Sequence, residues 1–326
     1  MKTFSILRMA WLVFVAGLCG CAAIPKIGGG HGMLRADDWV SFDDKTMPWK
    51  SWQVPAGVTQ RGVVIAVHGL SGAKSDFWYL GEMLPKRGYA VYAYDLRGQG
   101  NDPVLTDRGD ISSEKAWKRD LATFHSLVKR RHSKTPVFWY GESLGSLIAL
   151  HTAADLLGNR DDPDGIILAS PVAGLRMAVN GFQRFLLEMA AKLSPRTRYS
   201  LGELAGVDES KIQVTSNSTH GGQMAVTPHH VSAFSLRLLT TIGGMLDGNA
   251  DSAHRLKMPV LFVASPNDVL SSADQIQTLF AEVRSRDKKL LWYTRSYHLL
   301  LHDVQREEVV KDVARWLDRQ IKSTRR

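Results

Sequence analysis

The stretch Thr135-Pro-Val-Phe-Trp-Tyr-Gly141-Glu142-Ser143-Leu144-Gly145-Ser146 sets an apolar run directly against G-x-S-x-G and the start of a helical pattern. It reads as strand, sharp turn, helix. At such an elbow the serine takes strained backbone angles, and glycines two residues to either side let helix and strand pass closely while the hydroxyl stands exposed. Ser143 is therefore the candidate nucleophile. Gly and Ser are common, so the motif by itself also suits an ordinary strand-to-helix turn, and the rest of the chain has to decide.

Upstream of the elbow, Val63-Val-Ile-Ala-Val67 is apolar on both faces, as a central parallel strand should be, and it runs into His68-Gly69-Leu70-Ser71-Gly72. A helical stretch (77–84), a strand (87–95) and the turn Leu96-Arg97-Gly98-Gln99-Gly100 follow. An amphipathic helix over 113–131, with Ala116, Leu121, Phe124 and Leu127 among charges, then delivers the chain to the elbow. Downstream, the helix continues over 148–157, and Gly165-Ile-Ile-Leu-Ala169 is the next strand, ending in Ser170-Pro171. Two half-buried strands, 38–42 and 48–54, come before all of this.

Strands alternating with helices imply an α/β fold, a mostly parallel sheet with helices on both faces. Between about 173 and 250 the rhythm stops, and the sequence offers helical faces in place of strands. Phe182, Phe185, Leu186 and Met189 share one face, and a second apolar segment runs from Phe234 to Leu246, with a polar loop between them over 215–230. This insertion reads as a helical cap. Its apolar faces either pack together as a cap core or wall a path to Ser143. The sheet resumes at 258–264, followed by Ser265-Pro266-Asn267-Asp268, a helix over 272–283, a strand over 289–293, Arg295-Ser296-Tyr297-His298 and a closing helix over 304–321.

The N-terminus has a different character. A charged start with Lys2 and Arg8, a short apolar run from Met9 to Leu18 and small residues after it have the form of a secretory signal, too short to cross a bilayer comfortably. Leu18-Cys19-Gly20-Cys21 resembles the bacterial lipobox, which implies cleavage after residue 20, an acylated Cys21 as first mature residue, and a flexible Gly-rich tether to about residue 34. Ala22 lacks the inner-membrane retention aspartate, so the resemblance implies a lipid-anchored protein of the cell envelope, at the periplasmic face of the outer membrane. The two cysteines both lie in this segment, so residues 35–326 must be stabilised by their core without a disulfide. The formal charge of +9 falls to +7 once Lys2 and Arg8 are removed with residues 1–20. The excess is scattered rather than gathered into a stripe, which argues against a nucleic-acid partner and suits solubility or attraction to anionic lipid. No obligate protein partner is indicated.

Acyl transfer needs a nucleophile, a base, an acid that orients the base, and donors for the oxyanion. Ser143, Asp268 and His298 each follow a predicted strand, and in an open parallel sheet the carboxyl ends of the strands share one edge. His68-Gly-Leu-Ser-Gly72, Asp95-Leu-Arg97-Gly98-Gln-Gly100, Gly141-Glu-Ser143-Leu-Gly145, Asp268 and Tyr297-His298 together resemble the monoacylglycerol lipase and lysophospholipase branch of the α/β-hydrolase fold. The resemblance implies Ser143 as nucleophile, His298 as base then acid, Asp268 as orienting acid, and the Leu70 and Leu144 N–H groups as oxyanion donors. It implies hydrolysis of lipid-like esters with no cofactor and no metal. Small esters, thioesters or peptides as substrates, or a catalytically silent envelope scaffold, are the alternatives.

The pattern departs from the family at Ser265, where a glycine is usual, and His302 and Asp303 stand as a rival base and acid. His298 and Asp268 are favoured because His302 is expected at the start of the final helix. His68 is expected to be a structural hydrogen bonder, Asp95 and Arg97 a turn with ion pairs, and the adjacent His229 and His230 not a metal site.

Overall fold

The computed structural model describes residues 32–156, 162–176, 181–200, 202–203, 213–217 and 226–324. The signal segment, Cys21 and the tether up to residue 31 lie outside the described residues.

Two short strands, β1 (Met33–Leu34) and β2 (Asp38–Val40), form an antiparallel meander with the seven-residue β3 (Thr46–Trp52). The remaining strands in chain order are β4 (Gly62–Val67), β5 (Tyr89–Tyr94), β6 (Val137–Glu142), β7 (Gly165–Ala169), β8 (Arg198–Tyr199), β9 (Phe234–Ser235), β10 (Val260–Ala264) and β11 (Lys288–Trp292). Nine of the described strands make one sheet in the order β1-β2-β3-β5-β4-β6-β7-β10-β11. β3 pairs antiparallel with β5, and every pairing from β5 to β11 is parallel.

The central strands are buried along their whole length, as their unbroken apolar runs require. Their side chains divide with the period of two that a pleat imposes. Val63, Ile65 and Val67 pack with Leu121, Phe124 and Leu147 on one face. Val64 and Ala66 pack with Leu80, Trp316 and Leu317 on the other.

Those partners come from helices on both sides: α1 (Trp78–Met83) and α8 (Arg306–Thr324) on one, α2 (Glu114–Arg131) and α3 (Leu144–Leu156) on the other. α2 starts where the Ser113 hydroxyl accepts the Lys115 N–H at 3.2 Å, and it ends in Lys129, Arg130 and Arg131, whose charges complement the helix dipole. α3 has no polar face because it lies between the sheet and neighbouring helices, and Leu144 to Ala154 are buried throughout.

The insertion contains α4 (Gly181–Leu193) and α5 (Leu236–Asp247), followed by α6 (Asn249–Arg255) and, after β10, α7 (Ala273–Glu282). One feature departs from the sequence expectation, and another decides against one of its two alternatives. A two-residue antiparallel pairing of β8 with β9 closes the cap, too short to leave an alternation pattern. The α4 face of Phe182, Phe185, Leu186 and Met189 also does not form a cap core, since these side chains are 69, 55, 50 and 37% exposed while Ala191 is the residue α4 buries.

Arg97 supplies a four-bond polar tie at the antiparallel edge. Its guanidinium grips Asp120 of α2 through two bonds of 2.9 and 2.8 Å and Asp43 through two of 2.7 and 2.8 Å. Asp120 is fully buried, and burial raises its pKa even against this cation. Removing the cation leaves a buried carboxylate without its partner, a change that costs about 3–5 kcal/mol. Arg97→Met should therefore lower unfolding stability in urea by an amount of that order; a loss within 0.5 kcal/mol, the usual size of a surface change, would contradict this account.

Candidate active site

The elbow is built by close approach. A Cβ at Gly141 would fall 2.3 Å from the Gly145 carbonyl oxygen, and one at Gly145 would fall 2.0 Å from the Val67 carbonyl oxygen. Both positions therefore require glycine, and the turn between them puts Ser143 at φ +53°, a left-handed angle that L residues avoid. Ser143 N–H is held by the Ala169 carbonyl at 3.0 Å, and the Ser146 hydroxyl caps the Ser143 carbonyl at 2.6 Å. The side chain is left standing at the carboxyl edge of the sheet.

Asp268 and His298 reach the same edge from the loops after β10 and β11. His298 Nε2 lies 2.8 Å from Ser143 Oγ, and His298 Nδ1 lies 2.7 Å from Asp268 Oδ2. The other Asp268 oxygen accepts the Leu270 N–H at 2.8 Å and the Ser271 N–H at 3.3 Å, which fixes the carboxylate from behind. With Asp268 as acceptor, Nδ1 carries the proton and Nε2 is free to take one from the serine. Ser143, Asp268 and His298 are all buried. Burial pushes the His298 pKa down, but the charge and hydrogen bond of Asp268, with the charge of Glu142, hold it above the ordinary 6.5.

The two nominated oxyanion donors flank this group. Leu144 opens α3 directly after the serine, and Leu70 lies in a turn closed by Gly72 N–H on the Gly69 carbonyl at 3.1 Å. A Cβ at Gly69 would stand 3.1 Å from the Ser143 Cβ, so this turn sits against the nucleophile.

The rivals have other positions. His302 lies in a buried 3-10 turn over Leu300–His302, ahead of α8 rather than at its start, and its carbonyl accepts the Thr215 hydroxyl at 2.9 Å. Asp303 accepts the Tyr297 N–H at 2.8 Å and the Val304 N–H at 2.7 Å and also binds Ser216, so it shapes the loop that carries His298. His68 accepts the Leu96 N–H at 2.8 Å on Nε2, and burial drives its pKa down to about 4, so it stays neutral. Asp95 takes the Lys74 N–H at 2.7 Å and its ammonium at 2.8 Å. His229 and His230 diverge, the first 4.0 Å from Asp76 and the second 3.1 Å from Ser71.

Several supporting residues have roles that the sequence alone does not show. The Ser170 hydroxyl binds the His298 carbonyl, and Ser265 binds the Ser296 carbonyl while accepting the Asn267 N–H at 3.0 Å. The serine found where the family has glycine thus ties the acid loop to the histidine loop. Glu142, the residue before the nucleophile, is buried with one carboxyl oxygen unpartnered, and burial together with nearby Asp76 raises its pKa to about 7. A groove of about 940 Å³ between Met33, Trp49 and Arg130 is lined by none of the triad residues.

A general base acts when neutral, so kcat/KM should fall as pH drops through a His298 pKa lying above 6.5. Asp268→Asn removes the charge that raises it and favours the wrong tautomer. It should move the acid limb to lower pH and reduce kcat by about 10⁴-fold; a limb that stays in place, read from a pH–rate profile, would contradict the geometry.

Comparison with known proteins agrees with this architecture. Phospholipase YtpA of Bacillus subtilis is 27% identical over 79% of this chain and 96% of its own length, and the monoglyceride lipase of Rattus norvegicus is 24% identical over 86% and 90%. Among solved structures, the monoacylglycerol lipase of Paleococcus ferrophilus superposes with a TM-score of 0.69 at 24% identity, covering 84% of this chain and 99% of its own. A soluble variant of the Saccharomyces cerevisiae monoglyceride lipase, solved with a substrate analogue, gives 0.74 at 21% identity, covering 90% and 95%. The sheet, its helices and these neighbours are those of the α/β-hydrolase fold. The Hydrolase_4 model, described as serine aminopeptidase, S33, matches residues 59–305, and the chain belongs to that family.

Proposed function

We propose that this chain is a serine ester hydrolase acting on lipid-like substrates through an acyl-enzyme. The observation that carries the reading is the continuous hydrogen-bonded line from Asp268 through His298 to Ser143, with both links under 3 Å. In this reading Ser143 Oγ attacks the ester carbonyl carbon while its proton passes to His298 Nε2. The negative charge that develops on the carbonyl oxygen is taken by the Leu70 and Leu144 N–H groups. The tetrahedral adduct collapses as His298 returns the proton to the leaving alcohol. Water, deprotonated by the same imidazole, then attacks the acyl-serine, and the carboxylic acid leaves with Ser143 restored.

The lipid-like substrate class is supported by the similarity to a phospholipase and a monoglyceride lipase and by the large apolar side chains exposed on α4, which suit contact with acyl material better than with a charged peptide. The family description favours one other reading, a peptidase acting at amino termini. The two separate on substrate. With residues 1–21 removed, the purified protein should cleave medium- and long-chain monoacylglycerols or lysophospholipids better than acetyl esters, because each buried methylene contributes about 0.8 kcal/mol. It should act poorly on aminoacyl anilides. Rates that peak at acetate, or anilide turnover exceeding ester turnover, would overturn the lipid reading, and normal ester turnover in Ser143→Ala would overturn the mechanism.

The lipobox-like Leu18 to Cys21 further supports an envelope protein anchored by acylation of Cys21 and held at the periplasmic face of the outer membrane. Cys21→Ser should shift the full chain from membrane to soluble fractions or stall its processing. An intact, unmodified N-terminus by mass spectrometry would contradict the anchor.

A further inference from the structure

The turn that carries Leu70 is secured by more than its own closing bond. Ser71, one residue on, sits at φ +58°, at the turn position where glycine is favoured. Three polar groups hold it there. Its N–H donates to Gln99 Oε1 at 2.9 Å, its hydroxyl accepts the Val231 N–H at 2.8 Å, and the same hydroxyl lies 3.1 Å from His230 Nδ1. Gln99 belongs to the loop after β5 and is fully buried. Val231 and His230 belong to the cap. A hydroxyl has one proton and two lone pairs, so Ser71 Oγ can take the Val231 N–H and still bond His230 Nδ1, in a direction set by the imidazole tautomer.

The cap segment that reaches Ser71 is itself tied to the hydrolase body. Arg108 donates to the Pro228 carbonyl at 3.0 Å, Ser235 N–H to the Gly109 carbonyl at 2.7 Å, and Arg237 to Asp110 at 2.6 Å. A displacement of residues 228–231 would therefore act directly on the turn that lies against Ser143.

We infer that Ser71, clasped by His230 and Val231 of the cap and by Gln99 of the core, is the positioning residue that aims the Leu70 N–H, so that the cap in place completes the oxyanion hole. The inference rests on the proposed serine-hydrolase reading and adds to it a coupling between cap and chemistry. An amide left misdirected still allows substrate to bind, because the oxyanion exists only in the transition state, so the cost falls on kcat rather than on KM.

The test is kinetics on Ser71→Ala, Ser71→Gly, His230→Ala and the Ser71→Ala/His230→Ala double variant, with thermal midpoints recorded for each. Outright loss of an oxyanion donor costs about 10²- to 10³-fold in kcat, so loss of its positioning is expected to cost about 10- to 10²-fold. Ser71→Gly relieves the left-handed strain and should match or exceed the wild-type midpoint, yet lose kcat as Ser71→Ala does; a purely structural role would instead leave kcat intact in this variant. His230→Ala should lower kcat alone and add nothing in the Ser71→Ala background. Unchanged kcat in both Ser71 variants, losses confined to KM, or additive losses in the double variant would overturn the inference while leaving an active wild-type enzyme and its reading intact. A wild-type protein without ester turnover would overturn both.

Discussion

A side chain at residue 145 would drive its Cβ to 2.0 Å from the Val67 carbonyl, and a side chain at residue 141 would strike the Gly145 carbonyl at 2.3 Å. These two contacts make α3 start flush against β4 and β6. The chain then has to turn so tightly that Ser143 is forced to φ +53°. Strain of this kind, of order 1–3 kcal/mol, persists only where the surroundings over-determine it. Here they do: the strand before the turn is buried on both faces and the helix after it is buried almost all round. The hydrophobic core is thus what holds a buried hydroxyl in an unfavourable backbone geometry at the carboxyl edge of the sheet.

Around that point the polar groups fall into two kinds. Ser265 and Asp268 of the loop after β10, Ser170 at the end of β7 and Asp303 of the same connection as His298 send bonds that converge on the loop that carries His298. Arg97, Asp95 and Lys74 belong to the turns on the other side, where buried carboxylates are matched by cations. The first kind sets the orientation and basicity of one imidazole. The second holds the loops after β4 and β5, from which Leu70, Ser71 and Gln99 are presented. Glu142 joins the first kind by its charge, which helps hold the His298 pKa up, although one of its carboxyl oxygens has no hydrogen-bond partner and burial lifts its own pKa to about 7.

Much of this was legible in the chain because it follows from short-range pattern. Unbroken apolar runs ending in Gly, Ser or Asp announced the parallel strands and the edge where Ser143, Asp268 and His298 meet. The helices expected over 113–131 and 272–283 begin within a residue of those bounds, each capped by the serine at its start. What could not be read depends on tertiary placement. The β8–β9 pairing spans two residues per strand, which is below the length at which alternation is visible. α6 is short and polar on its face, with His151 and Asn249 meeting at 3.2 Å from helices far apart in sequence. The outward face of α4 is as apolar as an inward one, so periodicity identified the helix but not which side it buries. Ser71, Ser170 and Ser265 are single serines whose meaning lies wholly in their long-range partners.

The central claim is that Ser143 is an activated nucleophile, and covalent capture tests it most directly. Incubation of the folded protein with a fluorophosphonate, followed by peptide mapping in a mass spectrometer, should place a single phosphonyl adduct on Ser143, with labelling that slows as His298 is protonated at low pH. Labelling at another residue, or none under conditions where the protein remains folded, would contradict the account.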